Sequence, residues 1–211
     1  MVITIITDNP TSWFVEYGEI LTKRLSDEGH IVNYVFDKQE IKEGDVCFIL
    51  SCSKIIQKEF LVKNKHNIVI HASDLPKGKG FSPLQWQILE GKNKITLTLF
   101  EAVEGVDAGP YFFKDEIRYG GTELHDELRE ILANKIINMS FKFIHDYDKL
   151  KPIEQVGEES FYPKRTRKDD EIDPDKSIRE LFNNFRIANN KQFPLFFEID
   201  KQIYTIKVEK L

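Results

Sequence analysis

The sequence predicts an α/β fold: a Rossmann-like, mostly parallel sheet flanked by helices, continued by a short C-terminal helix and a β-hairpin. Two observations over the first third of the chain predict it. Short runs of β-branched and other apolar residues alternate with segments of helical periodicity, an order typical of parallel strands joined by right-handed crossovers. The apolar runs also lack a polar residue at every second position, which indicates strands covered on both faces.

The first four predicted strands span residues 2–7, 31–36, 45–51 and 67–71. A helix is expected over 12–28, with Ser12 as its N-cap and Gly29 at its end, because apolar residues recur there at helical spacing. A second helix is expected over 55–64. In an open sheet of this kind, ligands bind outside the carboxyl ends of the strands.

After residue 71 the pattern changes. We expect a short helix at 82–90, strands at 95–101 and 111–118, and a long amphipathic helix at 123–147. Residues 148–174 are polar and are interpreted as a linker, followed by a helix at 176–190 and a hairpin at 195–208. This division predicts a catalytic core over 1–150 and a C-terminal linker, helix and hairpin over 151–211. The apolar side of the long helix is expected to comprise Leu124, Leu128, Ile131, Leu132, Ile136, Met139 and Phe143.

The composition excludes several classes of protein. The formal net charge of the 211 residues is 30 − 35 = −5, which argues against a broad basic face that grips nucleic acid. The two cysteines, Cys47 and Cys52, lie in and just after an apolar run, as reduced thiols of cytosolic proteins commonly do. No apolar run approaches the ~20 residues that span a bilayer, and no signal peptide or metal-ligand spacing is visible. We therefore expect a cytoplasmic protein without a membrane, nucleic-acid or metal partner.

Two residues stand where chemistry is expected. His71 ends an apolar strand and precedes a loop that contains Gly78 and Gly80, and a glycine-containing loop lets the backbone approach a ligand closely. Asp107 lies in a tight turn of sequence GVDAGP at 105–110. A carboxylate of this kind can orient an imidazole and stabilise its cation. Two plainer interpretations stay open: a hydrogen-bonded histidine at a strand end, and a turn aspartate bound to its own backbone.

These segments together resemble a known family. Residues 71–80 (HASDLPKGKG) and 106–109 (VDAG), with a spacing of 107 − 71 = 36, are similar to the paired signature of 10-formyltetrahydrofolate-dependent formyltransferases. Residues 77–84 (KGKGFSPL), 86–91 (WQILEG) and 161–166 (FYPKRT) look most like the short sugar-nucleotide formyltransferases of pseudaminic-acid-type pathways.

The resemblance implies N10-formyltetrahydrofolate as formyl donor and a primary amine as acceptor. His71 would then donate a hydrogen bond to the tetrahedral oxyanion, with Asp107 holding the imidazole. The folate would lie against the strand and loop at 48–56 and the turn at 101–107. The residues expected to border the donor are Phe48, Leu50, Ser51, Ile56, Glu101 and Val106.

A sugar-nucleotide acceptor carries a diphosphate, and several residues could meet it. Asn9 and Ser12 open the first helix, whose amides can bind an anion, and Trp13 could stack on a sugar or base. Helix capping and core anchoring explain the same residues equally well. The remaining candidates for acceptor binding are Ser73, Lys77, Lys79 and Arg165, all of which could also be ordinary loop residues.

One position departs from the resembled family, which has asparagine two residues before the histidine. Val69 stands there, and Asn67 is too far back along the strand to replace it. Ser51 and Ser53, at the end of the neighbouring strand, are possible substitute donors. The roughly 60 residues beyond the core are expected to suit a small nucleotide-linked amine better than a tRNA. Alternative functions stay open: another amine acceptor, hydrolysis of formyltetrahydrofolate, or a noncatalytic folate or nucleotide sensor. A homodimer through the hairpin is also left open.

Overall fold

A computed structural model describes residues 1–211. Its six-stranded sheet, of order β2-β1-β3-β4-β6-β7, is flanked by helices, so the predicted α/β fold is confirmed. The strands are β1 Val2–Ile6, β2 Ile31–Val35, β3 Gly44–Ile49, β4 Asn64–His71, β5 Lys79–Gly80, β6 Lys94–Glu101, β7 Tyr111–Arg118, β8 Phe161–Tyr162, β9 Leu195–Ile199 and β10 Gln202–Ile206. The helices are α1 Val15–Asp27, α2 Lys58–Leu61, α3 Pro83–Leu89, α4 His125–His145 and α5 Phe182–Ile187.

The sheet has a parallel half and an antiparallel half. β1 pairs in parallel with β2 and β3, and β3 pairs in parallel with β4. β6 and β7 then continue the sheet in antiparallel pairs. The carboxyl ends of β1, β3 and β4 consequently meet at one edge, where His71 closes β4.

The core lies on both faces of the sheet, as the continuous apolar strands predict. In β3, Val46 and Phe48 belong to the large cluster that packs with α1 and α4, whereas Cys47 and Ile49 belong to a smaller cluster with α2 on the opposite face. This period of two places every second side chain of β3 against a different layer. None of the helices combines the length and the apolarity needed to cross a bilayer.

Two predicted helices are much shorter than expected. Residues 51–57 form an irregular segment before α2, and Asp8 anchors this segment by accepting hydrogen bonds from the amides of Ser53 and Lys54. Only Phe182–Ile187 is helical within the predicted 176–190 segment. It ends at Ala188, whose backbone is extended, and the side chain of Asn189 accepts hydrogen bonds from the amides of residues 191 and 192 in the following turn.

The long helix and the hairpin match their predictions closely. Of the apolar stripe predicted for α4, Leu128, Leu132, Ile136, Met139 and Phe143 are buried, while Ile131 is largely exposed and Leu124 precedes the helix.

The hairpin turns through two residues, 200 and 201, which both have positive φ angles. It forms a separate two-stranded sheet, β10-β9, and does not extend the main sheet.

The predicted linker contains structure that lies close to His71. β8 pairs in parallel with β5, with Lys79 opposite Phe161 and Gly80 opposite Tyr162. Ile153 forms a bridge to Tyr111 of β7. The segment 153–162 therefore packs along the loop that follows β4.

Candidate active site

His71 and Asp107 lie next to each other in the structure. The imidazole Nε2 is 2.8 Å from the carbonyl oxygen of Gly78, and Nδ1 is 3.7 Å from Oδ2 of Asp107. A carbonyl can only accept, so Nε2 carries a hydrogen and Nδ1 faces the carboxylate. A proton on Nδ1 would place an imidazolium beside an anion, an arrangement suited to stabilising negative charge on a reacting group.

Asp107 and the turn at 102–110 that carries it are held by contacts with three other parts of the chain. The backbone amide of Gly80 donates to Oδ2 of Asp107 at 2.8 Å. Gln155 donates from Nε2 to the carbonyl oxygens of Asp107 and Gly109, at 2.9 and 2.7 Å. A Cβ on Gly109 would lie 1.7 Å from the carbonyl oxygen of Glu101, so the close approach of these two backbone segments requires glycine.

The loop that holds the Gly78 carbonyl is itself held by the segment 153–162. Ser160 accepts a hydrogen bond from the amide of Gly78 at 2.9 Å. Lys79 is buried and forms an ion pair with Glu159. A Cβ on Gly80, whose φ is +97°, would lie 2.5 Å from the carbonyl oxygen of Tyr162. These contacts fix the position of the imidazole through its Nε2 partner.

A cavity of about 420 Å³ opens beside the pair, within the usual range for a small-molecule site. It lies between the carboxyl ends of β3 and β4, the irregular segment at 51–56 and the turn at 102–107. Of the residues predicted from the sequence, this cavity is lined by Trp13, Ser51, Ile56, His71, Val106 and Asp107.

A second cavity of about 880 Å³ adjoins the first and is more polar. It is bordered by the loop before α1, the start of α4, and residues 188–192 and 207–210. Asn9, Ser12 and Trp13 line it, as a site near the start of α1 predicts. Four residues line both cavities and therefore mark their junction: Trp13, Ser51, Ser53 and Arg129.

Three residues expected at the folate site do not line either cavity. Phe48 and Leu50 lie in the core with exposures of 0% and 1%, because strand alternation turns both toward the α1 and α4 layer. Glu101 is used within the protein: it accepts from the amide of Asn67 at 2.5 Å and contacts Nδ1 of His66 at 2.8 Å. Burial raises the pKa of Glu101 above its ordinary value.

Four residues expected to bind the acceptor also lie outside both cavities. Ser73 is buried against the Gly78 loop, and Lys77 is exposed on that loop. Lys79 points to Glu159, as described above. Arg165 donates to Oδ1 of Asp170 at 2.7 Å, an internal ion pair that uses its charge.

The position of the absent asparagine lies in the first cavity. Val69 lines this cavity and stands two residues before His71 on β4. The side-chain amide of Asn67 donates from Nδ2 to the carbonyl oxygen of Leu61 at 2.8 Å and is not available to a ligand. Ser51 and Ser53 both line the cavity. Their hydroxyls contact Ser12 Oγ at 3.2 Å and Asp8 Oδ2 at 3.0 Å, respectively.

Sequence reasoning missed two residues at the site, Gln155 and Arg129. No local pattern singles out Gln155, because its role depends on a contact 48 residues back along the chain. Arg129 did carry a signal: positions 125, 129, 132 and 136 share one face of α4, and an arginine interrupts that otherwise inward-facing stripe.

The structure thus defines an α/β protein whose sheet edge carries a histidine–carboxylate pair beside a cavity of small-molecule size. Residues 12–139, more than half of the chain, match the family described as formyl transferase. The chain belongs to this family.

Curated relatives share this region but are longer proteins. The chain is 29% identical over 173 residues to the methionyl-tRNA formyltransferase of Thermodesulfovibrio yellowstonii, covering 79% of this chain and 55% of that protein. It is 30% identical over 142 residues to the same enzyme of Thermosipho melanesiensis, covering 67% and 46%. The chain thus spans about half the length of the curated relatives it matches.

Solved structures share the fold at lower identity. Methionyl-tRNA formyltransferase from Clostridium thermocellum superposes with a TM-score of 0.81 at 22% identity, covering 100% of this chain and 92% of that one. A sugar N-formyltransferase from Shewanella sp. gives 0.73 at 13%, covering 99% and 97%. HypX from Aquifex aeolicus in complex with tetrahydrofolic acid gives 0.80 at 16%, covering 98% and 37%.

Proposed function

We propose that this protein transfers a formyl group from N10-formyltetrahydrofolate to a primary amine. The observation that carries the proposal is the buried His71–Asp107 pair beside a cavity, in a chain that belongs to the formyl transferase family. The donor occupies the first cavity, where Ile56 and Val106 supply apolar contacts. The tetrahydrofolic acid named with HypX, a structure of the same fold, supports a folate donor.

The chemistry follows from where the imidazole lies. A neutral amine attacks the formyl carbon, a new C–N bond forms, and the bond from that carbon to N10 of the folate breaks. The proton lost by the amine ends on N10 of the departing tetrahydrofolate. His71 stabilises the oxyanion formed between these steps, a contribution that is typically worth 10²–10³ in rate. For this, Nε2 must exchange the Gly78 carbonyl for the formyl oxygen.

The acceptor in this proposal is the amine of a nucleotide-linked amino sugar, specifically a UDP-4-amino-4,6-dideoxy-N-acetyl hexosamine. The second, more polar cavity has room for a nucleotide next to the reaction centre. A sugar N-formyltransferase that matches nearly the whole chain in fold supports this choice. Methionyl-tRNA is the second candidate acceptor, because curated relatives that share 142–173 aligned residues carry that name.

The test is an acceptor panel analysed by mass spectrometry. The protein is incubated with N10-formyltetrahydrofolate and, separately, the UDP-amino sugar, glycinamide ribonucleotide, methionyl-tRNA or no acceptor. We expect the sugar to gain the mass of one formyl group. His71→Asn should reduce this rate at least 10²-fold, whereas His145→Asn, a change at an exposed histidine paired with Glu28, should leave it unchanged.

Three other outcomes contradict the proposal in distinguishable ways. Formylation of only methionyl-tRNA or the ribonucleotide would reassign the acceptor. Release of formate without any acceptor would indicate a hydrolase. Binding of folate and nucleotide with no turnover, in the native protein as in His71→Asn, would indicate a sensor.

A further inference from the structure

Arg129 is a cation at the junction of the two cavities. It projects from the second turn of α4 and lines both of them. Its guanidinium carbon lies 5.1 Å from the ring centroid of Trp13, which lines both cavities too. A cation stacked on an aromatic face is held in one orientation. The pair therefore presents a fixed positive charge where the cavities meet.

No carboxylate of the protein forms an ion pair with this cation, and the only anion that acts on it is the exposed Asp126. The Nε of Arg129 is buried without a hydrogen-bond partner. Two other arginines differ in having carboxylate partners. Arg165, whose Nε also lacks a hydrogen-bond partner, pairs through Nη2 with Asp170, and the fully buried Arg186 pairs with Glu123. Burial lowers the pKa of Arg129 to about 10, so the side chain still carries its charge at neutral pH.

Three of the four carboxylates that line the second cavity already have partners. Asp8 accepts from the amides of Ser53 and Lys54. Asp126 contacts His125 at 2.7 Å, and Glu127 forms an ion pair with Lys210. The other charged residues of this cavity are exposed: Lys191, Lys207 and Glu209.

A partly desolvated cation without a partner is unfavourable, and an anionic ligand removes that cost. Arg129 is therefore prepared for an anion supplied from outside the chain. Guanidinium groups bind phosphate oxygens through two parallel hydrogen bonds, which fixes both the position and the orientation of the ligand.

We propose that Arg129, stacked on Trp13, binds the diphosphate of a nucleoside-diphosphate acceptor at the junction of the two cavities. The inference rests on the proposed function and specifies its acceptor side. With the diphosphate at Arg129, the sugar amine extends into the first cavity toward His71. The nucleoside occupies the second cavity, beside residues 188–192 and 207–210.

The experiment measures binding of UDP and of inorganic pyrophosphate by calorimetry, independently of catalysis. We compare the native protein with Arg129→Gln and Arg129→Lys. The matched control is Arg24→Gln, since Arg24 also lies over an aromatic ring, 4.4 Å from the centroid of Phe141, but lines neither cavity. Trp86→Phe leaves Trp13 as the only tryptophan, so its fluorescence reports occupancy of the junction.

We expect Arg129→Gln to weaken both probes about 10- to 100-fold, the usual loss for a charge-assisted hydrogen bond. Arg129→Lys should lie between, because it keeps the charge without the paired geometry. Arg24→Gln should bind like the native protein. UDP should change the fluorescence of Trp13 in the Trp86→Phe protein. The melting temperature of Arg129→Gln should change little, because the loss of the stack on Trp13 is offset by removal of a partly desolvated charge.

Two results would overturn the proposal: equal UDP and pyrophosphate binding by native and Arg129→Gln proteins, or no binding of either probe by the native protein. A third would reassign the anion: if Arg129→Gln weakened 5-formyltetrahydrofolate but not UDP, Arg129 would contact the glutamate of the donor. Arg129-dependent UDP binding without formyl transfer would keep this site and reject the proposed function. Formyl transfer without Arg129-dependent UDP binding would keep the proposed function and reject this site.

Discussion

Val69 shows how a single side chain can limit the chemistry of His71. It lines the first cavity two residues before the histidine on β4, so both side chains lie on the same face of the strand. Valine has no side-chain hydrogen-bond donor for an oxyanion. The nearest side-chain amide on the strand, that of Asn67, is bound to the carbonyl oxygen of Leu61. In the proposed reaction, His71 would therefore have no free side-chain amide beside it on its own strand.

Introducing that amide tests whether the site is short of a donor. We expect Val69→Asn to raise kcat for formyl transfer about 10-fold or more, with KM for the folate little changed, since a donor aimed at the oxyanion acts in the transition state. Val69→Thr, which keeps the branched shape and adds a hydroxyl, is the matched control and should give a smaller gain. If Val69→Asn folds normally and is no faster, Ser51 or another group already supplies the second donor.

At this scale the sequence predicted that His71 and Asp107 belong together, and the structure places them side by side, but the sequence did not predict their surroundings. His71 and Asp107 follow from two short motifs, because local turn and strand signals fix where each lies. Phe48 and Leu50 were wrong as ligand contacts: a strand buried on both faces has no polar alternation to show which side faces the site. Arg129 could have been recognised from its place in an apolar stripe. Its lack of an ion-pair partner depends on the tertiary structure and could not be read from the sequence.

Among the elements, the segment 153–162 contributes most to the site beyond the sheet itself. It pairs β8 with β5 and supplies both the hydroxyl that binds Gly78 and the carboxylate that pairs with Lys79. Its Gln155 is bonded to the turn of Asp107. One segment thus fixes the partners of both imidazole nitrogens.

Losing the two hydrogen bonds from Gln155 should affect the position of the Asp107 turn more than the stability of the fold. We expect Gln155→Met, which preserves size but loses both hydrogen bonds, to lower kcat about 10-fold while the cost in stability stays near 1–3 kcal/mol. The exposed Gln39→Met serves as the control. The two rates and the two melting temperatures are compared directly. A loss of activity no larger than the fraction unfolded explains would show that Gln155 supports only the fold.

The elements that the sequence did not predict correctly are short. The helices expected at 55–64 and 176–190 are reduced to Lys58–Leu61 and Phe182–Ile187, and the side chains of Asp8 and Asn189 bind backbone amides of the irregular chain that flanks them. β5 and β8 are two residues each and pair across about 80 positions, so neither has a periodicity to detect. The main strands and the long α4 were predictable because their apolar residues form continuous runs or recur at helical spacing.

For the whole molecule, charge distinguishes the two candidate acceptors. The chain carries a net −5, and its sharpest basic cluster, at 164–167, uses Arg165 and Arg167 in ion pairs with Asp170. A tRNA must be held by cations that release condensed counterions, so its affinity falls steeply with salt. A diphosphate has no such condensed counterion atmosphere, and in our proposal it pairs with the single guanidinium of Arg129 through two parallel hydrogen bonds.

The salt dependence of kcat/KM therefore separates the acceptors within this 211-residue chain. Between about 50 and 200 mM salt we expect the value for the UDP-amino sugar to change only a few-fold, through ordinary screening. Any transfer to methionyl-tRNA should be weak and should fall far more steeply, since each phosphate contact adds to the slope. Both acceptors are assayed with the same protein and folate concentrations. A high kcat/KM for methionyl-tRNA that persists at about 200 mM salt would instead mean that a shape-complementary RNA site exists on this chain. The second cavity, open beside residues 207–210, would then be the first place to seek the 3′ end of the tRNA.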